Sequence, residues 1–237
     1  MQFLVLYDNS SLSPAIRCGW GFACLVDKRI LFDTGDKYEP LCENLAQLKI
    51  NPKTIEAVVI SHDHHDHTGG LWGLLERQPG LKVYACPGFG NDFKQRVNAL
   101  RGKLIESIGF RKIDDHIGVT GEIPAQYKGS PKPEQALIAR TARGIAVVTG
   151  CSHPGIITIL TKVKTIFPAE KIALILGGFH LRDSACEAIE EIASQLVTVG
   201  VQKVSPAHCT GEPAQAIFKR RFGANYVPAG AGNQIEI

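Results

Sequence analysis

The stretch "SHDHHDHTGG", residues 61–70, decides how this chain is read. It directly follows "IEAVVI" (55–60), an apolar, β-branched run that reads as a buried strand. Four of the chain's eight histidines and two aspartates stand within the six positions 62–67. A solvated loop gains nothing from that crowding, whereas a metal ion needs it. His62 and His64 are two apart, so in extended backbone they project from the same side. Asp66 and His67 come after the chain turns and can face a second point nearby. Imidazole and carboxylate donors suit Zn²⁺, one ion or two, with Fe²⁺ and Mn²⁺ as further candidates. Thr68-Gly69-Gly70 is expected to turn the backbone tightly into the next helix.

One such loop cannot close a metal site alone. The missing ligands are expected at other strand ends, brought close only by folding. Three stretches follow the same grammar of apolar strand, then Gly or Pro, then ligand. "VVTGCSH" carries Cys151 and His153, "LILGGFH" carries His180, and "VSPAHCTG" carries His208 and Cys209.

Working outward, strands are expected at 2–7, 20–26, 29–32, 55–60 and 81–85, and helices at 37–50, 69–77 and 89–100. The segment 102–133 holds five glycines and three prolines. It reads as short strands and a long loop, a suitable rim for a site. A hairpin pair follows at 135–140 and 144–150. Helices at 155–167, 184–199 and 212–222 then alternate with strands at 171–178 and 201–208. The whole chain, 1–237, reads as one α/β domain.

Composition narrows the function. Net charge is +3, with 44% hydrophobic and 21% charged residues, and no polybasic run marks a nucleic-acid or anionic-membrane partner. The N-terminal "MQFLVLYDNS" lacks a basic leader region and is too short in its apolar run to span a bilayer. Seven cysteines, an odd number without paired spacing, favour free thiols in a reducing cytoplasm over a disulfide framework. The expected partner is a small-molecule substrate.

"LFDTG" (31–35), "SHDHHDH" (61–67), "TGCSH" (149–153) and "PAHCTG" (206–211) resemble, in order, the successive motifs of the metallo-β-lactamase superfamily. The resemblance runs along most of the chain. It implies an αββα sandwich, two facing mixed sheets with helices outside and a metal pair at one edge. It also implies that His62 and His64 bind the first metal, and that Asp66, His67 and His208 bind the second. Cys151 stands where most members place a bridging aspartate, and a thiolate there is a softer donor. For the third ligand of the first metal, His153 is the first candidate and His116 the second. The combination "GCSHPGI…GGFHL…HCTG" resembles a branch described as dihydropterin–ribofuranosyl-aminobenzene phosphate synthase or as metal-dependent hydrolase.

The chemistry expected is hydrolysis of an ester, lactone, thioester or phosphodiester by metal-activated water. Asp66 is expected to bind metal and orient the nucleophile, and His180 to touch substrate or protonate a leaving group. Asp33 either holds a histidine N–H or caps its turn. His65 is expected to face away, and Cys209 to be a packed thiol. Lys128, Lys132 and Arg140 read as solvated. Phe89, Phe93, Tyr127 and Phe179 are expected to give a partly apolar pocket. Competing readings are a mononuclear iron persulfide dioxygenase, an RNA-processing nuclease, and a metal-binding scaffold or sensor without catalysis. His64→Ala is expected to lower metal content and activity together, measured by elemental analysis and turnover; full metal loading in that variant would remove His64 from the ligand set.

Overall fold

The computed structural model describes residues 1–237. The first half runs β1 (Gln2–Tyr7), β2 (Ala23–Val26), β3 (Ile30–Phe32), α1 (Tyr38–Gln47), β4 (Ala57–Val59), α2 (His65–Arg77), β5 (Lys82–Ala85), α3 (Asn91–Ala99) and β6 (Lys103–Glu106). Short strands follow: β7 (Arg111–Lys112), β8 (Ile117–Val119), β9 (Gln126–Tyr127) and β10 (Ser130–Pro131). The second half runs β11 (Leu137–Thr141), β12 (Gly144–Thr149), α4 (Ile156–Ile166), β13 (Ile172–Gly178), α5 (Cys186–Thr198), β14 (Lys203–Ala207), α6 (Glu212–Phe222) and β15 (Gln234–Glu236).

Two mixed sheets result, ordered β15-β1-β2-β3-β4-β5-β6 and β14-β13-β12-β11-β8-β7. The strand period of two sorts each strand's side chains into two cores. Phe3 and Val5 of β1 face inward with Phe32, Val59, Leu137, Val148 and Leu176, filling the space between the sheets. Leu4 and Leu6 face the other way, onto Leu41, Leu45, Leu71 and Leu74 of α1 and α2. On the far side, Ile138, Val147 and Ile175 meet Ile159, Leu196 and Phe218 from α4, α5 and α6. Three apolar layers between four layers of secondary structure make the αββα sandwich. No helix is long and apolar enough to cross a membrane.

Strand β3 pairs parallel with β4, and β12, β13 and β14 run parallel to one another. Parallel neighbours end at the same edge. The loops after these strands therefore meet there, as ligand loops do at the carboxyl ends of open α/β sheets.

Several sequence expectations change. Helix α2 starts at His65, not at Gly69, so Asp66 and His67 occupy its first turn. Gly69 and Gly70 are thus helical, and their smallness serves contact. A Cβ on Gly69 would lie 1.9 Å from the Asp36 carbonyl oxygen, and one on Gly70 2.3 Å from that of Thr34. The helix lies directly against the backbone of the loop after β3. Strand β2 is also shorter than expected, because Gly21 (φ 150°) brings the chain against the Asp66 carbonyl and Asp36 amide instead of into a ladder. Phe89 and Phe93 pack in the core beneath α2 and α3, and Phe179 in the core against Phe218. Of the four aromatics expected in a pocket, only Tyr127 faces one.

Gly69→Ala is expected to destabilise the fold by about 1–3 kcal/mol, as overpacking does, and Gly109→Ala, where an added Cβ meets nothing within 4 Å, to stay within about 0.5 kcal/mol of wild type. Thermal denaturation of the two variants checks the contrast.

Candidate metal centre

Each site side chain leaves a strand end. Asp33 follows β3, His62 and His64 follow β4, Cys151 and His153 follow β12, His180 follows β13, and His208 follows β14. Strands alone would alternate these side chains between faces. The alternation is broken by left-handed backbone at Asp33 (φ 54°), Ser152 (φ 64°), His180 (φ 55°) and His208 (φ 50°). Non-glycine residues seldom adopt that conformation. Four cases around one site mark it as over-determined by its surroundings.

The donor atoms converge in overlapping groups, each with all its atoms within 4.8 Å of one another. His62, His64 and His153 form one, and Asp66, His67 and His208 another. Cys151 belongs to a third with His62 and His67, to a fourth with His208 and Cys209, and to a fifth with His153 and His180. All seven residues expected as ligands therefore meet at one place. His153, the first candidate for the third ligand, is the one that joins His62 and His64. His116 does not come near; it is an exposed residue in the turn before β8, its amide donating to Asp114. His65 is exposed at the cleft rim and belongs to none of the groups.

The rings are aimed by buried partners. Asp33, fully buried, accepts from the Ser61 amide (2.7 Å), the Ser61 hydroxyl (2.8 Å) and His67 Nδ1 (2.7 Å). Because the Ser61 proton goes to the carboxylate, Ser61 Oγ is left to accept from His62 Nδ1, at 2.9 Å. One carboxylate thus holds the Nδ1 protons of two histidines, directly and through Ser61, and turns both Nε2 atoms inward. Of the two readings of Asp33, the structure shows the histidine-holding one.

Glu134, which sequence reasoning did not single out, does the corresponding job in the other sheet. It accepts from the amides of Cys151 (3.0 Å), Ser152 (2.8 Å) and His153 (2.9 Å), and from His153 Nδ1 (3.0 Å). His208 Nδ1 meets Asn9 Oδ1 at 3.0 Å, while its amide donates to Asp8. Lys132, expected to be solvated, instead pairs with Asp63 at 2.6 Å, inside the histidine loop.

Burial and the neighbouring imidazoles push the His62 pKa well below the ordinary value. Burial, aided by Lys132, pushes His64 down to about 4. Both rings are neutral at physiological pH, as ligands must be. Burial disfavours charge on Asp66, yet His208 and His67 hold its carboxyl well below the usual carboxylate range. Burial would also lower His67, but Asp33 and Asp66 on either side raise it to about 9. The Cys209 sulfur raises His180.

These residues fit a metal ion. His208 Nε2 is buried and makes no well-directed hydrogen bond, its nearest acceptor being Asp66 Oδ2 at 3.3 Å, a costly state unless something electrophilic occupies the space before it. Neutral imidazoles, a carboxylate and a thiol suit Zn²⁺ or a neighbouring transition ion. The centre floors an open cleft of ≈ 250 Å³, so it is not sealed. Trp20 and Tyr127 wall it, with His180 at the mouth stacked on His153. Trp20 carries no sequence signal for a site, because it opens the segment 20–26 that reads as a strand.

Comparison with known proteins follows the same lines. The model of the metallo-beta-lactamase superfamily matches residues 21–86. A 7,8-dihydropterin-6-methyl-4-(beta-D-ribofuranosyl)-aminobenzene-5'-phosphate synthase of Methanocaldococcus jannaschii is 30% identical over 250 residues, covering 89% of this chain and 85% of that protein. A hydroxyacylglutathione hydrolase of Serratia proteamaculans is 42% identical over 55 residues, 23% of this chain and 20% of that one. The crystal structure of Tm1679, a metal-dependent hydrolase of the beta-lactamase superfamily, superposes with a TM-score of 0.84 at 32% identity, covering 100% of this chain and 99% of the other.

Since His67 carries a proton below about pH 9, metal affinity measured by chelator competition is expected to fall as pH drops from that value. In Asp33→Asn the affinity at pH 9 should be about 10–100-fold weaker, the usual cost of losing a ligand's hydrogen-bond partner, and its decline should begin at lower pH than in wild type, since Asp33 is the first of the groups that raise His67.

Proposed function

This chain belongs to the metallo-β-lactamase superfamily, and we propose that it is a metal-dependent hydrolase acting on a small, anionic ester or phosphodiester. The observation that carries the reading is the convergence of imidazole, carboxylate and thiol donors from both sheets on the floor of an open cleft. A purely structural or sensing centre would close its coordination sphere, whereas a catalytic one keeps a side open to solvent and substrate. The ion expected is Zn²⁺, one or two per chain, with Fe²⁺ or Mn²⁺ as the other candidates.

When bound, the metal lowers the pKa of water from 15.7 to about 7, about 12 kcal/mol at 1.36 per unit, and polarises a carbonyl or phosphoryl oxygen. The chain's own residues do the rest. Asp66 stands at the cleft with an ionised carboxylate, placed to hold the nucleophile's hydrogen and orient its lone pair. Asp33 and Glu134 keep the ligand rings in one tautomer and geometry. His180, at the mouth and outside the two main ligand groups, is placed to donate a proton to a departing alkoxide.

The walls favour an anionic, flat substrate. The Arg182 guanidinium lies 4.2 Å from the Trp20 ring centroid, and Lys128 Nζ 5.1 Å from that of Tyr127. A recess of ≈ 380 Å³ continues the cleft between these two pairs. Aromatic faces and cations together suit a substrate with a planar group and a phosphate or carboxylate. The Methanocaldococcus relative is named for a phosphate-bearing aminobenzene product, a compound of that character.

The metal-stripped protein is expected to be inactive on bis(p-nitrophenyl) phosphate, a p-nitrophenyl ester, a thioester and a lactone, and to regain hydrolysis of at least one with added Zn²⁺. Oxygen-dependent turnover of a persulfide by an iron-loaded protein that hydrolyses none of them would overturn the reading. His180→Gln should retain full metal content and lower kcat by about 10²–10⁴-fold for an alkoxide leaving group, and much less for p-nitrophenolate, which needs no proton.

A further inference from the structure

We infer that Cys209 is a metal ligand, so that the second metal position is walled by two sulfurs, Cys151 and Cys209, beside His208. The inference rests on the metal centre described above and adds to it a donor that the family resemblance does not supply.

The sequence makes Cys209 a packed thiol because the adjacent His208 already serves as ligand; a second objection is that consecutive strand residues point to opposite faces. The structure removes the second objection. His208 adopts left-handed backbone (φ 50°) and opens a short 3₁₀ turn, His208–Thr210. Strand alternation ends there, and both side chains turn toward the centre. The donor atoms of Cys209, Cys151 and His208 lie within 4.8 Å of one another, and all three residues are buried. His208 Nδ1 is engaged by Asn9. The ring atom left for this group is Nε2, which is buried, makes no well-directed hydrogen bond and lies 3.3 Å from Asp66 Oδ2.

The place for the sulfur is built into β13. A Cβ on Gly178 would stand 2.6 Å from Cys209 Sγ and 2.3 Å from the Gly150 carbonyl oxygen. Gly178 does not have the positive φ that calls for glycine, so here glycine provides room. A thiol that only fills space needs no more than its contact with the Cys151 carbonyl at 3.6 Å. That contact leaves His208 Nε2 with only the poorly directed approach to Asp66 Oδ2 at 3.3 Å, whereas an ion held between the two sulfurs and this nitrogen satisfies all three. Binding converts each thiol to a thiolate and releases its proton to solvent. Two thiolates select thiophilic divalent ions, Zn²⁺, Co²⁺ or Fe²⁺, over Mg²⁺ or Mn²⁺.

The test loads the full chain with Co²⁺ and reads the near-ultraviolet sulfur-to-cobalt charge-transfer absorbance per chain. Wild type is expected to show about twice the absorbance of either Cys209→Ser or Cys151→Ser, since each thiolate adds its own transition. Unchanged absorbance in Cys209→Ser, with complete loss in Cys151→Ser, would overturn the inference. Should a variant fold poorly, X-ray absorption of Zn²⁺-loaded wild type decides: two sulfur neighbours per chain support Cys209 ligation and one refutes it. A two-sulfur signature in a protein that hydrolyses none of the substrates above would leave this inference standing and remove the hydrolase reading, so the two fail separately.

Discussion

A single buried carboxylate organises the first half of this site. Asp33 receives three hydrogen bonds, one directly from His67 and two from Ser61, whose hydroxyl in turn holds His62. Imidazole offers two nitrogens, and a ligand must present the right one without its proton. Left free, each ring would exchange tautomers and rotate. The carboxylate removes that freedom at both rings with one group, and its burial strengthens the bonds by excluding water. The charge is tolerated in the interior because three donors satisfy it.

The same solution appears in the second sheet with different means. Glu134 gathers three consecutive backbone amides, from Cys151 to His153, together with the His153 ring. The turn after β12 is thereby wrapped around a carboxylate, and the sulfur and the imidazole emerge from it at set angles. The two anchors belong to different sheets yet come close together, Glu134 Oε2 lying 4.0 Å from the same His62 Nδ1 that Ser61 holds. The apolar layers behind make the steering rigid, since close-packed cores resist small displacements. The irregular middle of the chain joins this arrangement through the Asp63–Lys132 pair and through Tyr127 in the cleft.

Much of this was legible in the residues. The spacing of 62–67 after an apolar strand carried the metal reading, and the repeated strand-then-ligand grammar located Cys151, His153, His180 and His208. The facing of two sheets was not legible from periodicity, because a buried strand looks the same whichever layer covers it. The family resemblance supplied that. Glu134 escaped notice because it works on backbone amides, which carry no side-chain signature, and it stands in the irregular stretch "PKPEQ". Phe89 and Phe93 were misjudged from loop composition, although their separation of four residues is the helical spacing that points to a core. Gly69 and Gly70 look like a turn in sequence. Only the contact of α2 with the loop after β3 reveals that they allow close approach.

The order of the ligands along the chain has a consequence for biosynthesis. His62 to His67 emerge early from the ribosome, while Cys151 and His153 come much later and His208 last. The early histidines alone are therefore an incomplete chelator, and the donor set is complete only after β14 has joined its sheet. An ion held there would bridge segments nearly 150 residues apart, as a staple does. Completion of the second sheet and completion of the donor set are thus one event.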